Sequence, residues 1–180
     1  MGFIKEIYNA AFGKNYEAIW REFAKEKNGT YIQGSDDKVV VPYKHHTIAL
    51  DTYIHYTTVG HNTYEKQYTR GIVEFRSPDK LQLRLTSQDL VDNIGKLFGV
   101  QDIVVGDKEF DKQFMIKGND EYKIQLLFSN RSIKKLLSEL KVVRLEITEG
   151  TGLFDEKPQE GNSMLYFISE DNIKNIQQLN

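Results

Sequence analysis

The chain has 180 residues, of which 39% are hydrophobic and 28% charged, and it contains no cysteine. This composition is typical of a soluble globular protein with one core, and the lack of cysteine excludes disulfides, thiolate metal sites and a cysteine nucleophile. A net charge of −2, with lysine and arginine scattered along the chain, argues against a general nucleic-acid binder.

The sequence carries no membrane or export signal. No apolar run reaches the roughly 18–20 residues that cross a bilayer, and the N-terminus lacks the basic-then-apolar order of a signal peptide. Because a cysteine-free chain also fits a reducing compartment, we expect a cytoplasmic protein.

Residues 3–27 are predicted to form an amphipathic helix. Apolar residues recur with a period of about 3.6 and charged residues fill much of the remaining surface, and Asn28 and Gly29 suit the left-handed conformation that ends helices. We expect this helix, residues 1–28, to pack on the sheet as part of the same domain, which residues 29–180 complete. Attachment to a partner or to a membrane surface is the alternative.

From Val39 to Thr86 the pattern changes to an alternation of apolar and polar residues, which is typical of strands. A long strand is predicted at 45–58, a hairpin turn at 59–63 and the partner strand at 65–76. Pro78 then suits a type I turn that leads into a strand at 81–85. Such short connections favour an antiparallel meander.

The remaining chain mixes helices and strands. Helix caps are predicted at Ser87, at Asn119, and at Ser129 or Asn130. This mixture predicts an α+β fold whose largely antiparallel sheet is built from a long-stranded meander, with the N-terminal helix and further helices packed on it. The predicted helices are 87–99, 119–128, 129–141 and 170–179, and the predicted strands are 102–105, 114–118, 142–148 and 164–168.

The stretch "VGDKEFDKQFMIKGND", residues 105–120, carries the candidate catalytic residues. In a helical turn Asp107 and Asp111 would lie on the same side as Phe110 and Phe114, and carboxylates beside aromatic rings can act as an acid and base pair. In the alternative interpretation Asp107 caps a short helix whose two phenylalanines anchor it in the core. We favour the structural interpretation, because the second half of a catalytic or metal site is missing.

The candidate binding residues lie on the predicted hairpin. Asp51, Tyr53 and His55 share one side of the long strand, and Tyr68 belongs to its partner. A hairpin this rich in tyrosine and threonine could contact a peptide, a sugar or another small ligand, although both residue types are also good strand formers. The histidines show neither an HExxH nor a His-x-His pattern, so no metal and no cofactor are predicted.

Three stretches resemble a family of uncharacterised bacterial proteins, a domain of unknown function. They are "LDTY" at 50–53, "YTRG" at 68–71 and "GKLFGVQDIVVGDKEFDKQFMIKGND" at 95–120, and the resemblance covers roughly residues 45–140. It implies a bacterial protein. It implies no activity, so no catalytic residue follows from it.

The sequence therefore favours a non-catalytic, soluble bacterial domain that binds a protein, a peptide or a small ligand through a curved antiparallel sheet. One alternative is a hydrolase-type enzyme that uses Asp107 and Asp111, or Asp51 with His55, around a water or a cation. Another is a membrane-peripheral module attached by the N-terminal helix. The sequence does not indicate the oligomeric state.

Overall fold

A computed structural model describes residues 16–34, 37–88, 102–150 and 157–170, and within them the chain forms four helices and eight strands. The helices are α1 (Tyr16–Glu26), α2 (Lys108–Gln113), α3 (Glu121–Phe128) and α4 (Arg131–Glu139). The strands are β1 (Thr30–Ile32), β2 (Lys38–Tyr43), β3 (His46–Val59), β4 (Asn62–Arg76), β5 (Leu83–Ser87), β6 (Phe114–Gly118), β7 (Val142–Thr148) and β8 (Asn162–Ser169).

The eight strands form one sheet in the order β1-β2-β3-β4-β8-β7-β5-β6, and every pairing among them is antiparallel. The predicted α+β class with an antiparallel sheet is confirmed. The meander predicted from Val39 onward is confirmed for β2, β3 and β4 but does not continue into β5, and β1, which pairs with β2, was not predicted. The strand after the Pro78 turn instead pairs with β6 and β7, because β8 occupies the edge of β4.

Helix α1 covers one end of the sheet. Trp20, Phe23 and Ala24 are buried against β2 and β3, where Val39 and Leu50 supply the facing surface. The helix ends as predicted, since Asn28 takes a left-handed φ of 53°. The predicted packing of the N-terminal helix is thus confirmed for residues 16–26, and its first part lies outside the described residues.

Helices α2, α3 and α4 cover the other end of the sheet, on the same face. The register across the strands places Leu50, Gly71, Phe167, Leu145 and Leu85 in one row, so both groups of helices cover the side of the sheet that we call the helix face. The core at this end contains Leu83, Leu85, Phe110, Phe114, Ile116, Ile124, Phe128, Leu137 and Val142.

Two local predictions are wrong. Residues 102–105 form no strand, and a single backbone hydrogen bond, from Ile103 N to Ile116 O at 2.8 Å, links them to β6. Helix α3 is capped by Asp120 rather than Asn119, because the Asn119 side chain instead accepts from Gln82 N and donates to Lys80 O, both at 2.8 Å.

The other predicted caps can be placed in part. Asn130 caps α4, and this agrees with one of the two caps predicted for that helix, Ser129 or Asn130. Ser87 is the last residue of β5 and directly precedes Gln88, which is helical, so its predicted role as a cap stays a prediction. Most of the predicted helix 87–99 and all but the first residue of the predicted C-terminal helix 170–179 lie outside the described residues.

Candidate functional site

Asp107 is a helix cap with an ion-pair partner. Its Oδ1 accepts from Phe110 N at 3.3 Å, and its Oδ2 bonds to the ammonium group of Lys134. The hydrogen bond from Lys134, supported by the one from Phe110, lowers the pKa of the Asp107 carboxyl below its usual value. An aspartate held in its ionised form is unsuited to donate a proton as a general acid.

Asp111 serves a different part of the backbone. Its Oδ1 accepts from Val105 N at 2.9 Å and its Oδ2 accepts from Gly106 N at 3.1 Å. Gly106 takes a φ of 81°, which turns the chain into α2. The two candidate acids therefore bind separate backbone groups instead of sharing one reaction centre.

The phenylalanines of this corner are core residues. The Phe110 ring lies 4.8 Å from the Phe114 ring and 5.3 Å from the Phe128 ring, centroid to centroid. Both Phe110 and Phe114 are buried. The geometry of residues 105–114 agrees with the structural interpretation of the motif, in which the acids close the corner and the aromatic rings anchor it.

Asp51 lies in a buried ion pair. It faces Arg70 across the β3–β4 ladder, Arg70 Nε donates to Asp51 Oδ1 at 2.6 Å, and Nη2 contacts Oδ2. Only 7% of the Asp51 side chain and 12% of the Arg70 side chain are exposed. This two-point pairing links β3 and β4 on the face of the sheet opposite the helices. Because the Asp51 carboxylate is buried and bound to Arg70, it is not exposed for contact with a ligand.

The four predicted binding residues lie on one face of the hairpin, but they differ in exposure. Tyr68 is buried and packs with Val143 and Ile168. His55 is exposed and faces Lys66 in the register. The Tyr53 side chain lies outside the described part of the structure. Three of the four predicted binding residues have described side chains. Among these three, His55 is the one that a partner could contact directly.

The strands β3 and β4 extend beyond their neighbours. Strand β2 pairs with β3 over residues 46–51, and β8 pairs with β4 over residues 69–76. The two long strands continue to pair with each other as far as the turn at 60–61. Residues 52–68, which we call the hairpin arm, therefore have no further strand beside them within the described ranges.

The arm exposes large apolar side chains. Tyr56, Val59 and Tyr64 are 60%, 63% and 58% exposed. A run of seven residues in a strand reaches about 23 Å, and an isolated two-stranded hairpin of this kind is marginally stable in water. A projecting hairpin with exposed tyrosine and valine has the features of a contact surface.

The two-residue turn sets which backbone groups of the arm face outward. In such a hairpin the pair of residues next to the turn is hydrogen-bonded, and hydrogen-bonded and non-hydrogen-bonded pairs then alternate. Every second residue therefore directs its N–H and C=O away from the partner strand. These residues are Thr63, Glu65 and Gln67 on β4 and Ile54, Tyr56 and Thr58 on β3.

The outer edges of the sheet differ from the edges of the arm. Strand β1 has three residues. Strand β6 has five, and the carbonyl group of its Ile116 is bonded to Ile103 N. Short or covered edges protect a sheet against unwanted pairing. Among the described residues, the longest unpaired strand edges are therefore those of the arm.

A cleft of about 490 Å³ opens at the foot of the arm. It lies where β8 and β5 end and where β7 and β6 begin, and Lys66 and Tyr68 of the arm connect to it. Lys66 Nζ is 2.6 Å from Glu170 Oε1, and Tyr68 packs with Val143. Its lining includes Glu109, Lys112, Lys141, Val142, Val143 and Glu170, whereas Asp107 and Asp111 are not among the lining residues.

A second charged group lies on the face opposite the helices. Glu146 accepts from Arg84 at 2.9 Å and from Arg144 at 2.7 Å. Burial raises the pKa of the Glu146 carboxyl, but the hydrogen bonds from the two arginines outweigh this effect and leave the pKa below its usual value. The three side chains form an ion-pair network across β5 and β7, in which both arginines bind the Glu146 carboxylate while Arg84 Nε has no hydrogen-bond partner within the described structure.

Sequence reasoning did not identify the arm or the cleft. The signal for the arm was the length of the two strands, 14 and 15 residues, beside a six-residue β2. The cleft had no sequence signal, because its lining comes from four separate segments of the chain, 87–88, 109–114, 138–143 and 170. The partner of Asp51 was likewise missed, although Arg70 lies in the "YTRG" stretch.

Within the described residues, no group of three or more histidine, aspartate or glutamate residues is arranged to hold a metal ion. The helices of the same residues include none that is long and apolar enough to cross a membrane. No protein-family model, no curated protein and no solved structure matches the chain. The resemblance to an uncharacterised bacterial family stays a prediction.

Proposed function

We propose that this protein is a binding module that takes up an extended segment of another polypeptide by strand addition to the hairpin arm. The observation that carries the proposal is the overhang of β3 and β4, which leaves residues 52–68 without a neighbouring strand among the described residues. An added strand would bond to the outward N–H and C=O groups of one edge, and side chains at alternate positions would give specificity.

The composition of the arm supports a polypeptide partner. Tyr56 and Tyr64 offer large contact areas at a low cost in side-chain entropy, and the threonines around them add polar contacts. The arm also carries His55, Glu65 and Lys66, so neither sign of charge dominates. A surface that combines aromatic, hydroxyl and mixed charged groups is typical of a protein interface.

The positions of the acids support binding over the hydrolase alternative. Asp107 and Asp111 accept hydrogen bonds from separate backbone groups, and Asp51 is paired with Arg70. We keep the cytoplasmic location and the bacterial origin as proposals. The cysteine-free composition supports the location, and the stretch at 95–120 supports the origin.

The test is a selection of ten-residue random peptides displayed on phage against the full chain. We expect wild-type protein to enrich peptides with alternating apolar residues. We also expect the double variant Tyr56→Pro/Glu65→Pro to enrich none, because proline removes an outward N–H from each edge of the arm. Hydrogen exchange with a selected peptide should show new protection in residues 52–68.

The matched control is a double variant with the same residue types changed away from the arm, Tyr122→Ser/Glu121→Gln on α3. It should enrich the same peptides as the wild type, since α3 packs on β5 and β6, which are separated from β3 and β4 by β7 and β8 in the sheet. Urea unfolding of both double variants checks that the sheet is intact. Peptides that bind the proline variant as tightly as the wild type would contradict the proposal.

A further inference from the structure

We infer that the partner of the hairpin arm is a second copy of this chain, and that the two copies join their β3 strands edge to edge in an antiparallel pair. This inference rests on the proposed function, because it names the segment that adds to the arm. It predicts a dimer with two-fold symmetry, in which the sheet of one molecule continues into the sheet of the other.

The β3 edge of the arm lacks the features that protect a sheet edge against pairing. The usual protection comes from charged residues, proline and β-bulges. Residues 52–59, with the sequence TYIHYTTV, contain no acidic residue, no lysine, no arginine and no proline. Their register with β4 runs without a shift as far as Val59, so this part of the strand has no bulge. The β3 edge can therefore accept a strand along the arm.

The β4 edge of the arm is protected. Glu65 and Lys66 lie at its middle, and an antiparallel pair of two β4 edges centred on Glu65 would place like charges directly opposite each other. Lys66 Nζ also lies 2.6 Å from Glu170 Oε1. Glu170 directly follows Ser169, which pairs with Thr69, so this ion pair lies beside the inner end of the β4 edge. The two edges therefore differ, and β3 is the one that is open to pairing.

Two identical β3 edges can pair without any conflict of charge. In an antiparallel pair centred on Thr57, Tyr56 of one copy faces Thr58 of the other and His55 faces Val59. Tyr56 and Thr58 direct their N–H and C=O groups outward, so each such pair exchanges two backbone hydrogen bonds. Tyr56 and Val59, both more than half exposed, each gain a neighbour across the new ladder. The edge is therefore complementary to itself.

The lengths of the strands fit this arrangement. Strand β2 covers β3 as far as Asp51, which pairs with Lys38. In the register centred on Thr57, the turn at 60–61 of the second copy lies beside residues 53–54 and ends short of Lys38. The two arms therefore lie side by side, with the rest of each molecule at opposite ends of the pair.

The arrangement also stops at two copies. A pair of β3 edges uses the same surface of both molecules, so it closes on itself. The outer edges of the paired arms are then those of β4, where Glu65 and Lys66 hinder the addition of a third copy. We therefore expect a dimer rather than a fibre.

Disulfide cross-linking tests the register, because the chain contains no native cysteine. Thr57 directs its N–H and C=O toward β4, so Thr57 and its copy would form a non-hydrogen-bonded pair with Cα atoms about 4.5 Å apart, a distance that a disulfide can span. We expect Thr57→Cys to give a covalent dimer under mild oxidation. The matched control is Thr63→Cys, at an exposed threonine of the same arm. It should stay monomeric, because the β3 strands of both copies lie between the two cysteines.

Sedimentation velocity of the full chain tests the edge. Wild-type protein should shift from monomer toward dimer as its concentration rises. Tyr56→Pro should stay monomeric, because proline removes an outward N–H from the β3 edge, whereas Glu65→Pro should dimerise like the wild type. Urea unfolding checks that all three proteins are folded.

The outcomes separate this inference from the proposed function. A wild-type chain that stays monomeric at every concentration, or equal cross-linking of the two cysteine variants, would overturn the inference. Dimerisation that Glu65→Pro abolishes and Tyr56→Pro preserves would also overturn it, since the contact would then lie on β4. In each of these cases, peptides selected by the arm would leave the proposed function standing. A wild-type chain that neither dimerises nor enriches any peptide would overturn both.

Discussion

The ring of Phe167 lies directly over Gly71 of the neighbouring strand, so that a Cβ built on Gly71 would be 1.9 Å from Phe167 Cε1. Phe167 packs against the cluster around Trp20, which ties the middle of the sheet to α1. The missing side chain at position 71 is therefore part of the core packing at this end of the molecule.

The first prediction concerns this contact. Gly71→Ala should lower the free energy of unfolding by about 2 kcal/mol, because the ring must move out of its packed position. The control is Gly150→Ala, where the nearest atom to a new Cβ is Thr148 Oγ1 at 3.6 Å, and its effect should stay within about 0.5 kcal/mol. Urea unfolding measures both, and equal losses would contradict the role of the Phe167 ring.

The buried ion pair gives the second prediction. Asp51→Ala should lower the free energy of unfolding by about 3 kcal/mol or more, because it leaves the Arg70 guanidinium buried without this carboxylate. The double variant Asp51→Val/Arg70→Leu should lose less than the single variant, since it removes both charges. Thermal and urea unfolding test this order, and a double variant less stable than Asp51→Ala would argue against it.

The third prediction separates a structural corner from an acid pair. Asp111→Ala should cost about 2 kcal/mol, because Val105 N and Gly106 N each lose a hydrogen bond to a charged acceptor. Asp111→Asn should cost less, since an amide oxygen can still accept. Glu109→Ala on the same helix should stay within about 0.5 kcal/mol. If Asp111→Ala were as stable as Glu109→Ala, the structural interpretation of the motif would fail.

How far the sequence predicts this structure depends on how local each signal is. The corner at 105–114 was predictable, since Asp107 and its helix are neighbours in the chain. The meander was predictable up to β4 for the same reason. The insertion of β8 beside β4 was not, because it depends on pairing between residues about a hundred positions apart.

The candidate site shows the same limit. Alternation correctly placed Asp51 and His55 on one side of β3, and the register puts Tyr68 on the same face of the hairpin, but Asp51 and Tyr68 are both buried. Their burial depends on Arg70 and on Val143 from β7, which no local pattern reveals. The arm itself is a difference between strand lengths, and such a difference becomes visible only when the neighbouring strands are known.

The fourth prediction is a loss of stability in acid through Glu146. Its pKa is lower in the folded protein than the usual value of about 4.3 because Arg84 and Arg144 bind the ionised form. The contribution of this group to stability is therefore present above the ordinary pKa and is lost as the pH falls through the lowered value. The Glu146 carboxyl carbon, followed by NMR, should titrate at a lower pH than the usual range of a glutamate side chain.

A matched variant isolates this contribution. Glu146→Gln should be less stable than wild type at neutral pH, and the difference between them should shrink as the pH falls below the folded pKa. Urea unfolding across this range provides the measurement. A difference that does not change with pH would mean that the ionised carboxylate adds nothing to the network with the arginines.

The fifth prediction separates tyrosines that stabilise the fold from those available to a partner. Tyr56→Ser and Tyr64→Ser should each change the free energy of unfolding by at most about 0.5 kcal/mol, because both side chains are more than half exposed. Tyr68→Ala should cost about 3 kcal/mol, since its ring is buried against Val143 and Ile168. The peptide that wild-type protein selects should bind both serine variants more weakly. A large loss of stability at Tyr56 or Tyr64 would instead show that these rings support the arm, and their exposure would then be no argument for a partner.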